Sequence, residues 1–75
     1  METVIRDSTQ LAKIVRNARK LQHVTQVQLS QLADVGVRFV RDLEDGKATL
    51  QLDKVMRVLE TLGISVILST PGGEP

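Results

Sequence analysis

The 75-residue sequence has no cysteine, tryptophan or tyrosine, a single histidine, and one phenylalanine, Phe39. Without cysteine and with one histidine, the chain can form neither a disulfide framework nor a Cys/His metal site. A chain of this length buries only about 60–65% of the surface that its unfolded state exposes, so its core is marginal. Its stability must therefore come from well-packed helices or from association with another chain.

Long apolar runs are also missing. No stretch approaches the roughly 20 residues that span a bilayer, and the N-terminus, METVIRD, lacks the apolar core of a signal peptide. Hydrophobic residues nevertheless make up 41% of the chain, which argues against disorder. We therefore expect a folded, soluble, cytoplasmic protein that has no membrane partner.

Neither sign of charge dominates, because ten basic and nine acidic residues give a net charge of +1. The distribution is uneven, however. Residues 1–33 carry five basic and two acidic side chains, whereas residues 34–75 carry five basic and seven acidic side chains. A nearly neutral protein of this kind can still present a basic face to a partner.

Apolar residues recur at helical spacing in four segments, which predicts helices over about residues 8–21, 26–33, 37–45 and 50–62. The positions predicted to face the core are Leu11, Ile14, Val15, Ala18 and Leu21 in the first helix, Val27, Leu29, Leu32 and Ala33 in the second, Phe39, Val40 and Leu43 in the third, and Leu52, Val55, Met56, Leu59 and Leu62 in the fourth.

Capping residues precede three of these helices. Asp7 with Gln10, and Thr25 with Gln28, have the spacing of capping boxes, and Thr49 is the predicted cap of the fourth helix. Residues 1–7 then form a short N-terminal arm.

The turn Asp34-Val35-Gly36 joins the second and third predicted helices. Asp tolerates the left-handed conformation, and Gly is an acceptable N-cap. Two short helices joined by a tight turn and flanked by longer helices form a helix-turn-helix arrangement. The outer face of the third helix then carries Val37, Arg38, Arg41, Asp42 and Asp45.

The C-terminal segment changes character. Residues 64–70 are rich in β-branched side chains and predict a single strand, while residues 71–75, PGGEP, predict a disordered tail. A lone strand has two open edges, so we expect it to pair with the same strand of a second copy. The expected dimer-interface residues are Ile64, Val66, Ile67 and Leu68. An extended tail packed on the fourth helix is the alternative.

The sequence resembles a known family at this point. TQVQLSQLADVG (25–36) and LEDGK (43–47) look like the lambda repressor/Cro-like (XRE) DNA-binding domain, and VGVRFVRDLEDGK (35–47) with LDKVMRVLETLG (52–63) resembles HipB-type antitoxins. The resemblance covers about residues 8–69. The sequence departs from the family at Asp34, where glycine is usual, and at Gly36-Val37, where the recognition helix usually begins with Ser or Thr.

The resemblance implies a mostly α fold, a lambda repressor-like helix-turn-helix bundle of four to five helices with one C-terminal β-strand pairing across a homodimer. Residues 8–63 would form the DNA-binding domain, with the recognition helix at about 37–45, and residues 64–70 the dimerisation strand. It also implies an Arg–Glu salt bridge between the first and third helices, which falls on Arg19 and Glu44.

The expected binding roles follow from the docking of such a bundle on DNA. The third helix enters the major groove, where Arg most often reads guanine. The expected base contacts are Val37, Arg38, Arg41 and Asp42, and the expected phosphate contacts are Thr25, Gln26, Gln28, Lys47 and the backbone of Gly36.

Several of these roles have alternatives. Arg38 or Arg41 could bind phosphate instead, and for Asp42 the orientation of Arg38 is favoured over acceptance of a hydrogen bond from cytosine. The basic residues of the first helix, Lys13, Arg16 and Lys20, could touch the DNA backbone or form a solvated face.

An enzyme is not expected. No Cys, no His–carboxylate arrangement and no Gly-rich phosphate loop are present, so we expect no catalytic residues, no metal and no cofactor. A purely protein-binding module of similar fold is the competing class, and Arg38, Arg41 and Lys47 favour DNA.

We therefore predict a homodimeric transcriptional repressor of a palindromic operator. By resemblance to HipB, it would be the antitoxin of a toxin–antitoxin operon, repress its own operon and neutralise a HipA-like serine/threonine kinase toxin. The alternative is a stand-alone phage-type repressor without a toxin partner.

Overall fold

The computed structural model describes residues 2–72 and contains four α-helices in that range. The helices are α1 (Ser8–Leu21), α2 (Gln26–Ala33), α3 (Val37–Glu44) and α4 (Leu52–Thr61). The first two have the predicted bounds, α3 ends one residue before the prediction, and α4 is shorter at both ends.

Two of the predicted caps are present. The Asp7 carboxylate accepts the Gln10 backbone N–H at 2.9 Å, although the Gln10 side chain accepts from the Arg6 N–H rather than from Asp7. Thr25 and Gln28 form the complete capping box at the start of α2, with bonds of 3.0 and 2.9 Å. Local sequence thus determines where α1 and α2 begin.

Thr49 is not the cap of α4, which is a correction to the prediction. The N-cap is Gln51, in an extended conformation and without a side-chain cap hydrogen bond. The preceding Leu50 is half-buried against the core. This packing anchors an extended segment, so the helix starts after it.

The core lies where α2 packs against both α3 and α4, and α1 closes it by packing against α3. Val15, Leu29, Val40 and Val58 are fully buried, one from each helix. Every buried side-chain nitrogen or oxygen within residues 2–72 has a hydrogen-bond partner. Each unsatisfied buried polar group would destabilise the fold, so the hydrogen bonding of all of them helps to stabilise a domain whose core is small.

Five residues predicted to be inward are exposed in the single chain. Leu21 is 80% exposed, Leu52 70% and Leu32 68%, and Val27 and Met56 are about half-exposed. The predicted apolar stripes were therefore too wide. Leu21, for example, lies about 120° around α1 from Val15, at the edge of the buried arc.

Two buried apolar residues were absent from the predicted core positions, namely Ala12 and Val58. Val58 lies about 60° from Val55 around α4 and so belongs to its buried arc. Both residues stand where a neighbouring helix approaches, which apolar spacing alone does not reveal.

Residues 64–70 form neither helix nor strand in the single chain. Ile64 packs against the core and donates its N–H to the Leu59 carbonyl at 2.9 Å. Val66, Ile67 and Leu68 are exposed, so the alternative of a tail packed on α4 holds only as far as Ile64. Of the predicted disordered tail, residues 73–75 lie outside the described range. No helix between residues 2 and 72 is long and apolar enough to cross a membrane.

Candidate nucleic-acid interface

The turn between α2 and α3 determines where α3 starts. Asp34 adopts the left-handed conformation, with φ of 56°, and Gly36 is the N-cap of α3. The Val35 N–H donates to the Ser30 carbonyl at 3.0 Å, while Ser30, buried in α2, bonds the Val27 carbonyl. A short polar side chain makes the left-handed conformation tolerable at position 34, where glycine would be unstrained.

The helix α3 has a buried and an exposed face. Val40 and Leu43 are buried in the core, and Glu44 is buried at the end of the helix. Arg38 and Arg41 are exposed, three residues apart, and neither has an ion-pair or hydrogen-bond partner within the described chain. Val37 is half-buried beside them. Two unpaired guanidinium groups on one exposed helix face form a polar surface that can take an anionic or hydrogen-bonding ligand.

Asp42 pairs with Lys47 and not with Arg38, which corrects the favoured expectation for Asp42. The Lys47 ammonium nitrogen lies 3.6 Å from the Asp42 carboxylate, and the Lys47 N–H donates to the Asp42 carbonyl at 3.0 Å. The chain turns back after Gly46, which brings Lys47 closer to Asp42 than Arg38 is. The pair leaves Arg38 unneutralised.

Arg19 and Glu44 form a bidentate ion pair between α1 and α3. Arg19 Nε lies 2.6 Å from Glu44 Oε2, and Arg19 Nη2 donates to Glu44 Oε1 at 2.9 Å. The two side chains are only 12% and 2% exposed. The hydrogen bond to Glu44 raises the pKa of Arg19 above its ordinary value, against the opposing effect of burial.

This ion pair also holds the start of α2. Arg19 Nη1 donates to the Val24 carbonyl at 2.9 Å, and Gln26 Nε2 donates to Glu44 Oε1 at 3.2 Å. We call Arg19, Glu44, Gln26 and Val24 the buried polar network. It joins the last turn of α1, the first residue of α2 and the last residue of α3, so the two helices of the helix-turn-helix have a fixed relative position.

The N-terminus of α2 is partly free to bind a ligand. Its first backbone N–H groups have no acceptor within the helix, and the capping box occupies those of Thr25 and Gln28. The N–H groups of Gln26 and Val27 remain. One of the two side-chain N–H bonds of Gln26 donates to Glu44, so only the other can donate to a phosphate. The sequence did not show this constraint.

The loop after α3 is held against the start of α1. Gly46 has φ of 82°, and an added Cβ would lie 3.3 Å from the Thr9 Cα. Ser8 Oγ donates to the Gly46 carbonyl at 2.8 Å. This contact keeps Lys47 beside the end of α3.

The basic residues of α1, Lys13, Arg16 and Lys20, are all exposed, whereas Ala12 and Val15 of the same helix are buried. Within residues 2–72 none of them forms an ion pair. Exposed and unpaired side chains are compatible both with contacts to the DNA backbone and with a solvated face.

Two long-range contacts had no signal in the sequence. Arg57 Nη1 donates to the Asp34 carbonyl at 3.2 Å, and Gln22 Nε2 donates to the Leu62 carbonyl at 2.8 Å. The partners are 23 and 40 residues apart, and each bond ends on a backbone carbonyl, which no side-chain pattern identifies.

The comparisons with known proteins agree with this geometry. The helix-turn-helix family model matches residues 15–68. The HTH-type transcriptional regulator y4mF of Sinorhizobium fredii (strain NBRC 101917 / NGR234) is 44% identical over 68 residues, which cover 91% of this chain and 90% of that protein.

Solved structures share the fold at lower identity. A HipB-O1-O2 complex matches with a TM-score of 0.83 and 22% identity, over 92% of this chain and 100% of that chain. A HipA-HipB-O2-O3 complex matches with a TM-score of 0.84 and 21% identity, over 93% and 99%. The family-model match and the relative of 44% identity show that the chain belongs to the XRE-type helix-turn-helix family of DNA-binding transcriptional regulators.

Proposed function

We propose that the protein is a homodimeric, sequence-specific transcriptional repressor that reads a palindromic operator with α3. The observation that carries this proposal is that Arg38 and Arg41 are both exposed and without an ion-pair partner in the described chain. They lie on the outer face of α3, the second helix of the helix-turn-helix. The buried polar network supports it, because a recognition helix reads bases only if its position is fixed.

Arg38 and Arg41 are the proposed base readers. A guanidinium group can donate two hydrogen bonds to the O6 and N7 atoms of guanine in the major groove. Val37, at the first turn of α3, is placed to contact a thymine methyl group. Asp42 would have to share its carboxylate between Lys47 and a cytosine amine, so its role in base reading is the weakest of the four.

The proposed phosphate contacts surround these readers. The N–H groups of Gln26 and Val27 are free at the N-terminus of α2, where the helix dipole favours an anion. In the capping box the side chains of Thr25 and Gln28 act as acceptors, so the Thr25 hydroxyl and the Gln28 side-chain NH2 can still donate. Gly36 offers its backbone N–H. Lys47 is more than half exposed despite its pair with Asp42. These contacts position the protein and carry no sequence information.

Dimerisation is proposed through residues 64–70 as a strand paired across a two-fold axis. Val66, Ile67 and Leu68 expose apolar surface in the single chain, as do Leu52 and Met56 on α4. Contiguous exposed apolar surface is typical of an interface. In such a dimer the two recognition helices lie about 34 Å apart, one turn of the double helix.

The finer proposal is that the protein acts in the cytoplasm as an antitoxin, represses its own operon and binds a HipA-like serine/threonine kinase toxin. Its support is the fold shared with HipB, including HipB in a complex named with HipA. A stand-alone phage-type repressor is the second candidate, favoured by the match to a regulator named only as HTH-type. A kinase-fold gene adjacent to the protein's own gene would support the first.

The test is binding to the DNA fragment immediately upstream of the protein's own gene, with a shuffled fragment as competitor. Arg38→Ala and Arg41→Ala should each weaken binding by about 1–3 kcal/mol and relax the preference for the native fragment. Lys54→Ala is the matched control, because it removes a positive charge from α4, away from the proposed interface. If both arginine variants bind like the unmodified protein, α3 is not the recognition helix.

A further inference from the structure

Arg57, on α4, contacts the turn between the two helices of the helix-turn-helix. Its Nη1 atom donates to the Asp34 backbone carbonyl at 3.2 Å and lies 3.7 Å from the Asp34 carboxylate. Asp34 is the residue at which the chain leaves α2, and its φ of 56° lies in the left-handed region. A residue with a Cβ is strained in that region, so surrounding contacts must hold it there.

Val35 packs against the core from within this turn, but few polar contacts hold the turn. The Val35 N–H bonds Ser30, which belongs to α2 itself, and Gly36 supplies no side chain to cap α3. Arg57 belongs to α4, whose Val58 and Leu59 are buried in the core. Within the described residues, Arg57 is the one side chain from another helix with a hydrogen bond to the turn.

The bond connects a rigid element to the start of the recognition helix. α3 begins at Val37, three residues after Asp34. A shift of the Asp34 carbonyl would change the direction in which α3 leaves the turn and would displace Arg38. The Asp34 carboxylate is almost fully exposed, so the ion pair adds little and the carbonyl bond is the stronger contact.

We propose that Arg57 is a positioning residue for DNA binding, which holds the turn at Asp34 and thereby orients α3 without itself contacting the DNA. This inference rests on the proposed reading of DNA by α3. It assigns to α4 a role besides core packing and the proposed dimerisation.

The experiment compares Arg57→Met, which removes the guanidinium group and keeps an apolar stem, with Lys54→Met. The control removes the same charge from the same helix at a residue without an ion pair within residues 2–72. Affinity for the upstream DNA fragment is measured at several salt concentrations, with the intact chain. Arg57→Met should weaken binding about five- to tenfold, and Lys54→Met less than about twofold.

The salt dependence separates positioning from direct contact. The slope of the logarithm of the binding constant against the logarithm of the salt concentration counts the phosphates that the protein neutralises. Arg57→Met should leave this slope unchanged, because Arg57 contacts no phosphate in the proposal. Hydrogen exchange provides a local readout, since the Val35 N–H, bonded to Ser30, should exchange faster when the turn loosens. If Arg57→Met fails to fold, Arg57→Lys serves instead, with an intermediate loss of affinity, because lysine keeps the charge and an N–H donor but lacks the planar guanidinium group that meets the Asp34 carbonyl.

Three outcomes would overturn the proposal. Unchanged affinity of Arg57→Met would show that the turn does not need the contact. A slope reduced by about one would show that Arg57 binds phosphate directly. An equal loss in Lys54→Met would indicate a general charge effect. Arg38→Ala is measured in parallel, so that loss of binding there with no effect at Arg57 refutes only this inference.

Discussion

The helix-turn-helix and the C-terminal segment 64–70 satisfy their interactions in different ways. In the first, every buried polar side chain among the described residues has a partner within the same chain, and Glu44 alone accepts bonds from Arg19 and Gln26. In the second, Val66, Ile67 and Leu68 leave apolar surface in solvent. The helix-turn-helix is therefore satisfied within one chain, whereas the segment 64–70 exposes the apolar surface for which we propose a second chain as partner.

The largest expected effect tests the first half of this comparison. Arg19→Met leaves the Glu44 carboxylate buried without its cation and should lower the free energy of unfolding by about 3–5 kcal/mol. The measurement is chemical denaturation at a fixed protein concentration, because the proposed dimerisation would also affect stability.

The double variant Arg19→Met, Glu44→Leu is the control for that measurement. It removes both charges and should recover much of the lost stability, because a buried ion pair is often replaceable by apolar side chains. A double variant less stable than the single one would contradict a simple ion-pair account.

The pH dependence of the Arg19 contribution follows from the sign of its pKa shift. The pKa is raised in the folded state, so the contribution is complete below the ordinary arginine pKa and is lost only as pH rises through the raised value. Titration of Arg19 should therefore cause no change in stability between about pH 6 and pH 9.

An intermediate effect tests the second half of the comparison. Val66→Pro removes a backbone donor in a residue that is half-exposed in the single chain, and should weaken dimerisation at least about tenfold. Two-fold symmetry places the change in both chains. Sedimentation equilibrium measures the dissociation constant.

Leu21→Asp is the control for Val66→Pro, because Leu21 is also exposed, at 80% against 49% for Val66, but lies at the end of α1. It should leave the dimer intact. Unchanged dimerisation of Val66→Pro would mean that another surface, such as the exposed Leu52 and Met56 on α4, holds the two chains together.

The smallest expected stability effect concerns the exposed pair of Asp42 and Lys47. Their side chains are 28% and 52% exposed and 3.6 Å apart, so Lys47→Met should change the free energy of unfolding by about 0–1 kcal/mol. The salt slope of DNA binding should nevertheless fall by about one per DNA-binding head. A large loss of stability with an unchanged slope would make Lys47 structural.

The regular elements could be predicted from local sequence. The bounds of α1 and α2 follow from Asp7, Thr25 and the apolar spacing behind them, and the left-handed turn follows from Asp34. The start of α4 was missed because Leu50 packs against the core and delays it, which is a tertiary effect. The exposure of Leu21 and Leu32 was missed for the same reason, since helical periodicity does not show how wide an arc the neighbouring helices cover.

The candidate interface divides in a similar way. The residue types and spacing of α3 were sufficient to nominate Arg38 and Arg41, because a side chain's face on a short helix depends only on its position. The Arg19–Glu44 ion pair, which spans 25 residues, was predicted only through the family resemblance. The pairing of Asp42 with Lys47 was missed, because it depends on the path that the chain takes after α3. Arg57 at Asp34 was equally hidden, because its acceptor is a backbone carbonyl that every residue possesses.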